Sequence, residues 1–293
     1  MIHEKIYYPG KEKVYLESFI LDDGMRFGES TKRPAVIVCP GGGYVYLSPR
    51  EGEPVAAAYS AKGFQTFVLH YSIGWDVKNF TPLQEIDWAV GLVREHADEW
   101  YIDEKKIFTC GFSAGGHLAL SGALLDTENK PDGLILGYPA VSLESKETTF
   151  LTRILTGKDE LEGDERKWIN LSESVTDSAP PLFVFTTAED ALTYRACLQL
   201  VSAYADHGLP CEFHLFQQGP HGLSLADASS ADGSSRDVDP HVAKWLDLSA
   251  EWLTAVSGGL KFEDFSTSHI KDAVREMGVE IPGEKNEKGI RNV

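Results

Sequence analysis

Short apolar runs alternate along this chain with stretches of helical periodicity. Residues 34–39 read Pro-Ala-Val-Ile-Val-Cys, the continuous pattern of a parallel strand covered on both faces. Residues 64–71, 107–110, 134–137, 182–186 and 212–216 predict further short strands. Between them, residues 53–62 predict an alanine-rich helix stopped by Gly63, and Leu83, Ile86, Val90, Val93 and Ala97 share one face of a helix starting near Pro82. Residues 195–206 predict a helix stopped at Gly208. A final helix runs from Asp239 or Pro240 to Val256, with Val242, Trp245, Leu246, Leu248 and Trp252 on or near one face. Near the start, residues 14–20 alternate as a strand and pair with residues 5–8 across Pro9-Gly10. Residues 72–81 read as loop. Strands and helices in this alternation predict an α/β fold, a mostly parallel central sheet flanked by helices, with sites at the carboxyl ends of the strands.

Residues 141–179 break the pattern. They are polar and irregular, with short helical pieces at 150–155 and around Trp168, and predict a small cap-like insertion over the strand ends. Residues 1–256 are then one domain and 257–293 a tail. In the tail, Ser257-Gly258-Gly259 is a hinge, and Ser268 caps a helix with Ile270, Ala273, Val274 and Met277 on one face, ended by Gly278. That helix either docks on its own domain or contacts a second subunit to make a homo-oligomer. Residues 284–293 are expected to be disordered.

Charge narrows the partners. With 27 Lys and Arg against 45 Asp and Glu, the 293 residues carry a formal net charge of −18, which repels phosphate backbones and anionic lipid. No nucleic acid and no membrane is expected. The four cysteines, Cys39, Cys110, Cys197 and Cys211, show no C-x-x-C spacing, which disfavours a metal site. Met1-Ile2-His3-Glu4-Lys5 has no basic region followed by an apolar run, so a cytoplasmic, reduced protein without a signal peptide is expected.

The chemistry centres on Gly111-Phe112-Ser113-Ala114-Gly115, which follows a predicted strand and opens a predicted helix. This is the G-x-S-x-G turn, where a serine is lifted clear of the sheet and a helix N-terminus faces the reaction centre. A serine hydroxyl needs a base. His3, His96, His207, His241 and His269 read as surface residues, and His70 and His214 lie within strands. His117, four residues past Ser113, points down its own helix. His221, in Gly219-Pro220-His221-Gly222 directly after the last strand, can reach over the strand ends. The base needs a carboxylate to fix its tautomer, and the loop after 182–186 offers Glu189 and Asp190. Asp190 is preferred, with Glu189 as the alternative. Oxyanion donors are expected from the Ala114 N–H and from Gly42 or Gly43 in Pro40-Gly41-Gly42-Gly43-Tyr44. No Gly-Lys-Ser/Thr follows those glycines, so they do not read as a phosphate loop. Tyr44, Tyr46, Trp75, Tyr138 and Trp168 stand near predicted strand ends, where they suit sugar stacking, an aryl ester or plain packing. Of these, Tyr44, Tyr46, Tyr138 and Trp168 are the candidates for substrate contact.

Over roughly residues 14–256 this set resembles the α/β-hydrolase superfamily. Val38-Cys39-Pro40-Gly41-Gly42-Gly43-Tyr44, Glu51-Gly52-Glu53-Pro54-Val55-Ala56, the Ser113 turn with Gly116-His117, and Gly219-Pro220-His221-Gly222 are similar to the acetyl-xylan-esterase-like and feruloyl-esterase-like members, a group that also takes in xylanase-associated and prolyl-oligopeptidase-type hydrolases. The chain departs at the acid loop, where Asp190 is followed by Ala-Leu-Thr-Tyr instead of the usual Asp-x-x-Val-Pro spacing. The resemblance implies a serine carboxylesterase that removes short acyl groups, acetyl above all, from carbohydrates such as xylo-oligosaccharides, with no cofactor or metal. A peptidase or amidase of the same fold is the alternative enzyme, although residues 1–33 are too short for an oligopeptidase propeller. A non-catalytic binding protein on the hydrolase scaffold is the alternative from another class.

Overall fold

The computed structural model describes residues 1–22, 32–144, 148–158, 163–258 and 274–278. Among the described residues, eight strands form one sheet: β1 (Ile2–Tyr7), β2 (Tyr15–Ile20), β3 (Arg33–Cys39), β4 (Gln65–His70), β5 (Ile102–Phe112), β6 (Gly133–Gly137), β7 (Leu182–Thr187) and β8 (Cys211–Phe216). Their order is β1-β2-β4-β3-β5-β6-β7-β8. The β1–β2 and β2–β4 pairs are antiparallel, and every pair from β4 to β8 is parallel. The antiparallel pair is the predicted one, extended toward the start of the chain: Tyr7 faces Tyr15 and Ile2 faces Ile20, so β1 begins before residue 5.

The helices are α1 (Glu53–Ser60), α2 (Pro82–Glu95), α3 (Ser113–Leu124), α4 (Thr149–Thr156), α5 (Tyr194–Asp206) and α6 (Trp245–Ser257). Strand alternation assigns them to faces. Ile37, Leu118, Leu134, Val184 and Leu200 pack with Ile86, Val90 and Val93 of α2 in one cluster. Val36, Val38, Phe108, Phe183 and Phe185 pack with Val55 and Tyr59 of α1 and Trp245 and Trp252 of α6 in the other. Both faces of β3 are therefore buried, which is why its sequence shows no alternation. The Trp245 ring stacks on Phe185 at 4.6 Å, and its indole N–H donates to the Ser224 carbonyl at 2.9 Å.

Two further predicted boundaries move. β5 extends back to Ile102 through Asp103, Glu104 and Lys105, whose side chains reach solvent where Arg33 pairs with Ile102. The last helix starts at Trp245, because residues 242–244 form a 3-10 turn and Asp239 Oδ1 caps the N–H groups of His241 and Val242. Within 141–179, α4 is followed by 3-10 turns at Gly163–Trp168 and Leu171–Ser174.

The chain divides into Met1–Asp22 with Lys32–Leu260, which carries the sheet and the helices, and Asp23–Thr31 with Lys261–Val293. Of the second unit, residues 274–276 form one helical turn closed by Gly278 at φ +72°, whose N–H donates to the Arg275 carbonyl. The tail expectations at Gly259, Ser268, Ile270, Ala273 and 284–293 lie outside the described residues. Among the described residues, no helix is long and apolar enough to cross a membrane.

Candidate active site

At the end of β5 the backbone turns sharply into α3. Ser113 sits at the turn with φ +51°, a left-handed conformation that is strained for a side-chain-bearing residue. The surroundings leave it no alternative. A Cβ on Gly111 would lie 2.3 Å from the Gly115 carbonyl oxygen, and one on Gly115 would lie 2.0 Å from that of Cys39. Glycine at both positions is what lets β3, β5 and α3 approach this closely. The hydroxyl of Ser113 is thereby held at the carboxyl edge of the sheet, at the first residue of α3.

His221 lies in the loop after β8. Its Nε2 is 2.8 Å from Ser113 Oγ, and its Nδ1 is 2.8 Å from Asp190 Oδ2. Gly219, at φ +130°, lets the loop start: its carbonyl accepts from the Thr187 hydroxyl at the end of β7 at 2.6 Å. Tyr138 packs edge-on against the His221 ring, 5.1 Å between centroids.

Of the two adjacent carboxylates after β7, it is Asp190 that reaches His221. Asp190 is buried, whereas Glu189 is exposed and accepts from the Gly219 N–H at 3.1 Å. Asp190 Oδ1 accepts from the N–H groups of Leu192 and Thr193, and Oδ2 also accepts from the Thr193 hydroxyl at 2.6 Å. Burial pushes the Asp190 carboxyl up, but these donors and His221 outweigh it and hold the group below its ordinary value. It is therefore an anion at neutral pH, aimed at Nδ1.

Gly42, Gly43 and Ala114 line the same cleft as Ser113 and His221, a depression of about 500 Å³ whose walls include Val45, Tyr46, Phe150, Leu151 and Leu192. Gly42 has φ +122°, and a Cβ there would meet the Tyr46 carbonyl at 2.1 Å. The Gly42 carbonyl accepts from the N–H groups of Val45 and Tyr46. A tight turn thus presents the glycine backbone to the cleft opposite the start of α3.

Two of the four predicted aromatic contacts, Tyr44 and Tyr138, are corrected, because both rings are buried. Tyr44 is fully buried, donates or accepts at His117 Nδ1 at 2.9 Å, and packs on Tyr71 and Phe80. Tyr138 is buried too, with its hydroxyl donating to Glu51 Oε1 at 2.7 Å and accepting from the Ser224 N–H at 2.7 Å. The half-buried Trp168 packs against Phe80, 5.5 Å between centroids. Tyr46 is 58% exposed on the cleft wall, and the exposed Trp75 stands by Lys78. His117 has a structural setting: its Nε2 is 2.6 Å from the Trp168 carbonyl, so the imidazole ties the 141–179 segment to α3. Thr193, Phe150 and Glu51 also belong to the site and were not expected from sequence. Thr193 stands three residues past Asp190 and Glu51 opens the Glu51–Ala56 motif, so both lie beside recognised residues, but no local spacing gives them a role; Phe150 lies apart from the motifs along the chain.

The chain is similar to several known proteins. A family model described as BD-FAE matches residues 25–155. The chain is 30% identical over 223 residues to Endo-1,4-beta-xylanase B of Butyrivibrio fibrisolvens, covering 71% of this chain and 35% of that protein. It is 26% identical over 204 residues to Acetylxylan esterase of Xylanibacter ruminicola, covering 67% of this chain and 42% of that protein. The chain thus spans well under half the length of these curated relatives. Among solved structures it is similar to MGS-M1, an alpha/beta hydrolase enzyme from a Medee basin deep-sea metagenome library, at 33% identity and a TM-score of 0.75, covering 87% of this chain and 98% of that one.

Proposed function

The chain belongs to the α/β-hydrolase family, as an acetyl-xylan-esterase-like member, and on that footing we propose that it is a serine carboxylesterase removing short acyl groups, acetyl above all, from carbohydrate esters such as acetylated xylo-oligosaccharides. One observation carries the reading: an unbroken hydrogen-bonded path from Ser113 Oγ through His221 to a buried, ionised Asp190, 2.8 Å at each step. The acetylated carbohydrate as substrate is supported by the likeness to the acetylxylan esterase.

The mechanism follows from the path. Asp190 holds the Nδ1–H tautomer, leaving the Nε2 lone pair on the serine proton. As Ser113 Oγ attacks the ester carbonyl, His221 takes the proton and Asp190 stabilises the imidazolium. The carbonyl oxygen becomes an anion beside the Ala114 N–H and the Gly42–Gly43 backbone, where fixed donors are worth about 3–4 kcal/mol each in the transition state. As the C–O bond breaks, His221 gives the proton to the departing sugar oxygen, which leaves as a hydroxyl. Water, deprotonated by the same imidazole, then releases the acid from the acyl-serine.

Hydrolysis of 4-nitrophenyl esters from C2 to C8 by wild type and Ser113→Ala tests this. The expected result is a steep preference for C2 that Ser113→Ala abolishes, with kcat down by roughly five to six decades. Equal rates on C2 and C8 would remove the short-chain reading, and full activity in Ser113→Ala would remove the serine.

A further inference from the structure

Behind the cleft floor lies a carboxylate that the reaction as described does not use. Glu51 closes the 3-10 turn Pro49–Glu51 and is only 4% exposed. Among the described residues, each hydrogen bond to its carboxylate comes from a donor. The Gly41 N–H reaches Oε2 at 2.8 Å, the Tyr138 hydroxyl reaches Oε1 at 2.7 Å, and the Ser48 hydroxyl also donates to it. A Cβ on Gly41 would lie 2.6 Å from Oε2, so the glycine there makes room for the carboxylate.

These contacts join three loops. Gly41 directly precedes the glycines of the cleft wall. Tyr138, at φ +37°, begins the loop after β6 and packs on the His221 ring. Through its hydroxyl, Tyr138 also takes the N–H of Ser224, at φ +54°, three residues after His221. The Ser224 hydroxyl in turn donates to the Arg50 carbonyl at 2.6 Å, next to Glu51. Three residues in strained backbone, Ser113, Tyr138 and Ser224, thus stand around one buried acid, and such strain persists only where the surroundings over-determine it.

We propose that Glu51 is a positioning residue for the esterase reaction: its ionised carboxylate locks the oxyanion loop to the loop that carries His221, and supplies a second negative charge that favours the imidazolium. The inference rests on the serine-esterase reading above. Burial raises the Glu51 carboxyl above its ordinary value, and Tyr138, Gly41, His221 and Ser48 oppose that rise without cancelling it. With donors on both oxygens, the ionised form is the one the site is built to hold. The charged and titratable groups around His221 are Asp190 on Nδ1, Glu51 beyond the cleft floor and the Tyr138 phenol. Glu189 lies at the Gly219 N–H, and the Arg50 guanidinium is 3.6 Å from Asp237.

The test compares wild type, Glu51→Gln, Tyr138→Phe and the surface control Glu53→Gln on 4-nitrophenyl acetate from pH 4.5 to 9, with melting temperatures and titrated active sites. The glutamine side chain of Glu51→Gln keeps the shape but sets an NH₂ donor against either Gly41 or Tyr138. The expected loss for Glu51→Gln is about 10–100-fold in kcat per active site, with KM within about threefold. Its acid limb of kcat/KM, which reports free His221, moves to lower pH by roughly half a unit, because removing a nearby anion disfavours the imidazolium. Tyr138→Phe keeps the charge, so kcat falls while the acid limb stays. Glu53→Gln matches wild type. Should Glu51→Gln not fold, Tyr138→Phe decides: lower kcat at an unmoved limb supports the inference, and wild-type kcat overturns it. A Glu51→Gln enzyme with wild-type kcat per active site and an unmoved limb overturns it as well, since that is what a merely structural role predicts. A wild type that turns over no ester overturns the esterase reading and this inference together.

Discussion

Asp190→Asn is the sharpest single-atom perturbation of the site. In the native structure Oδ1 accepts from the Leu192 and Thr193 N–H groups at 3.1 and 3.3 Å, and Oδ2 accepts from the Thr193 hydroxyl and from His221. Asparagine has one oxygen, and the two backbone donors fix it at the Oδ1 position. The NH₂ group then replaces Oδ2. The Thr193 hydroxyl can rotate to accept from it, but His221 Nδ1 must become an acceptor. That moves the ring proton to Nε2, where it points at Ser113 Oγ and blocks deprotonation. A wrong tautomer in this geometry costs on the order of 10³–10⁴ in kcat/KM, or about 4–5.5 kcal/mol of transition-state stabilisation. The assay is kcat/KM on 4-nitrophenyl acetate at pH 7.5, with circular dichroism to establish the fold. Glu189→Gln, whose side chain meets the Gly219 N–H and not His221, stays within about threefold of wild type. Asp190→Asn activity within tenfold of wild type, in a folded protein, would refute the tautomer argument.

Other expectations follow from the same contacts. Gly115→Ala would place a methyl 2.0 Å from the Cys39 carbonyl oxygen and 2.4 Å from that of Pro40; it should cost at least about 3 kcal/mol in urea unfolding or leave no soluble protein, and a wild-type midpoint would contradict the packing. His117 is buried, and burial lowers its pKa from 6.5 to about 4. The unfolded chain therefore binds more protons between about pH 4 and 6.5, and stability rises with pH across that window, by up to ~3 kcal/mol. His117→Gln, which can still meet Tyr44 and Trp168, should flatten that slope, read as melting temperature at pH 4.5, 5.5 and 7. An unchanged slope would count against a buried neutral imidazole. Phe150→Ala and Tyr46→Ala remove exposed apolar surface from the cleft wall. Each should raise KM for aryl esters about 3–10-fold, ~1 kcal/mol of lost contact, at nearly constant kcat and melting temperature; a kcat loss instead would place them in the chemistry.

Features set by local pattern were legible in the chain. Val36, Ile37 and Val38 announce a doubly buried strand, and the Gly111 to Gly115 run announces a turn where nothing larger fits. The position of His221 just after the last strand marks it among nine histidines. Long-range packing was not legible. Tyr44 and Tyr138 look like loop aromatics in sequence, yet positive φ at both turns their rings into the core, Tyr44 onto His117 and Tyr138 onto Glu51. Asp190 and Glu189 are one residue apart and chemically alike. Their difference arises from the Thr193 and Leu192 donors that bury one of them. Glu51 carries no periodicity at all, since its partners lie 10 and 87 residues away. The start of β5 was not legible either: the predicted strand begins at Ile107, because Asp103, Glu104 and Lys105 lack the apolar run where the strand emerges into solvent.

The central claim is that Ser113, driven by His221, is the nucleophile. Incubation with 4-nitrophenyl diethyl phosphate, followed by intact mass and peptide mapping, tests it most directly. The account predicts one diethyl phosphoryl adduct per chain on Ser113, formed in step with loss of esterase activity, absent in Ser113→Ala and slowed by at least about 10³-fold in His221→Ala. An adduct on another residue with activity lost, or inactivation at the wild-type rate in Ser113→Ala, would contradict it.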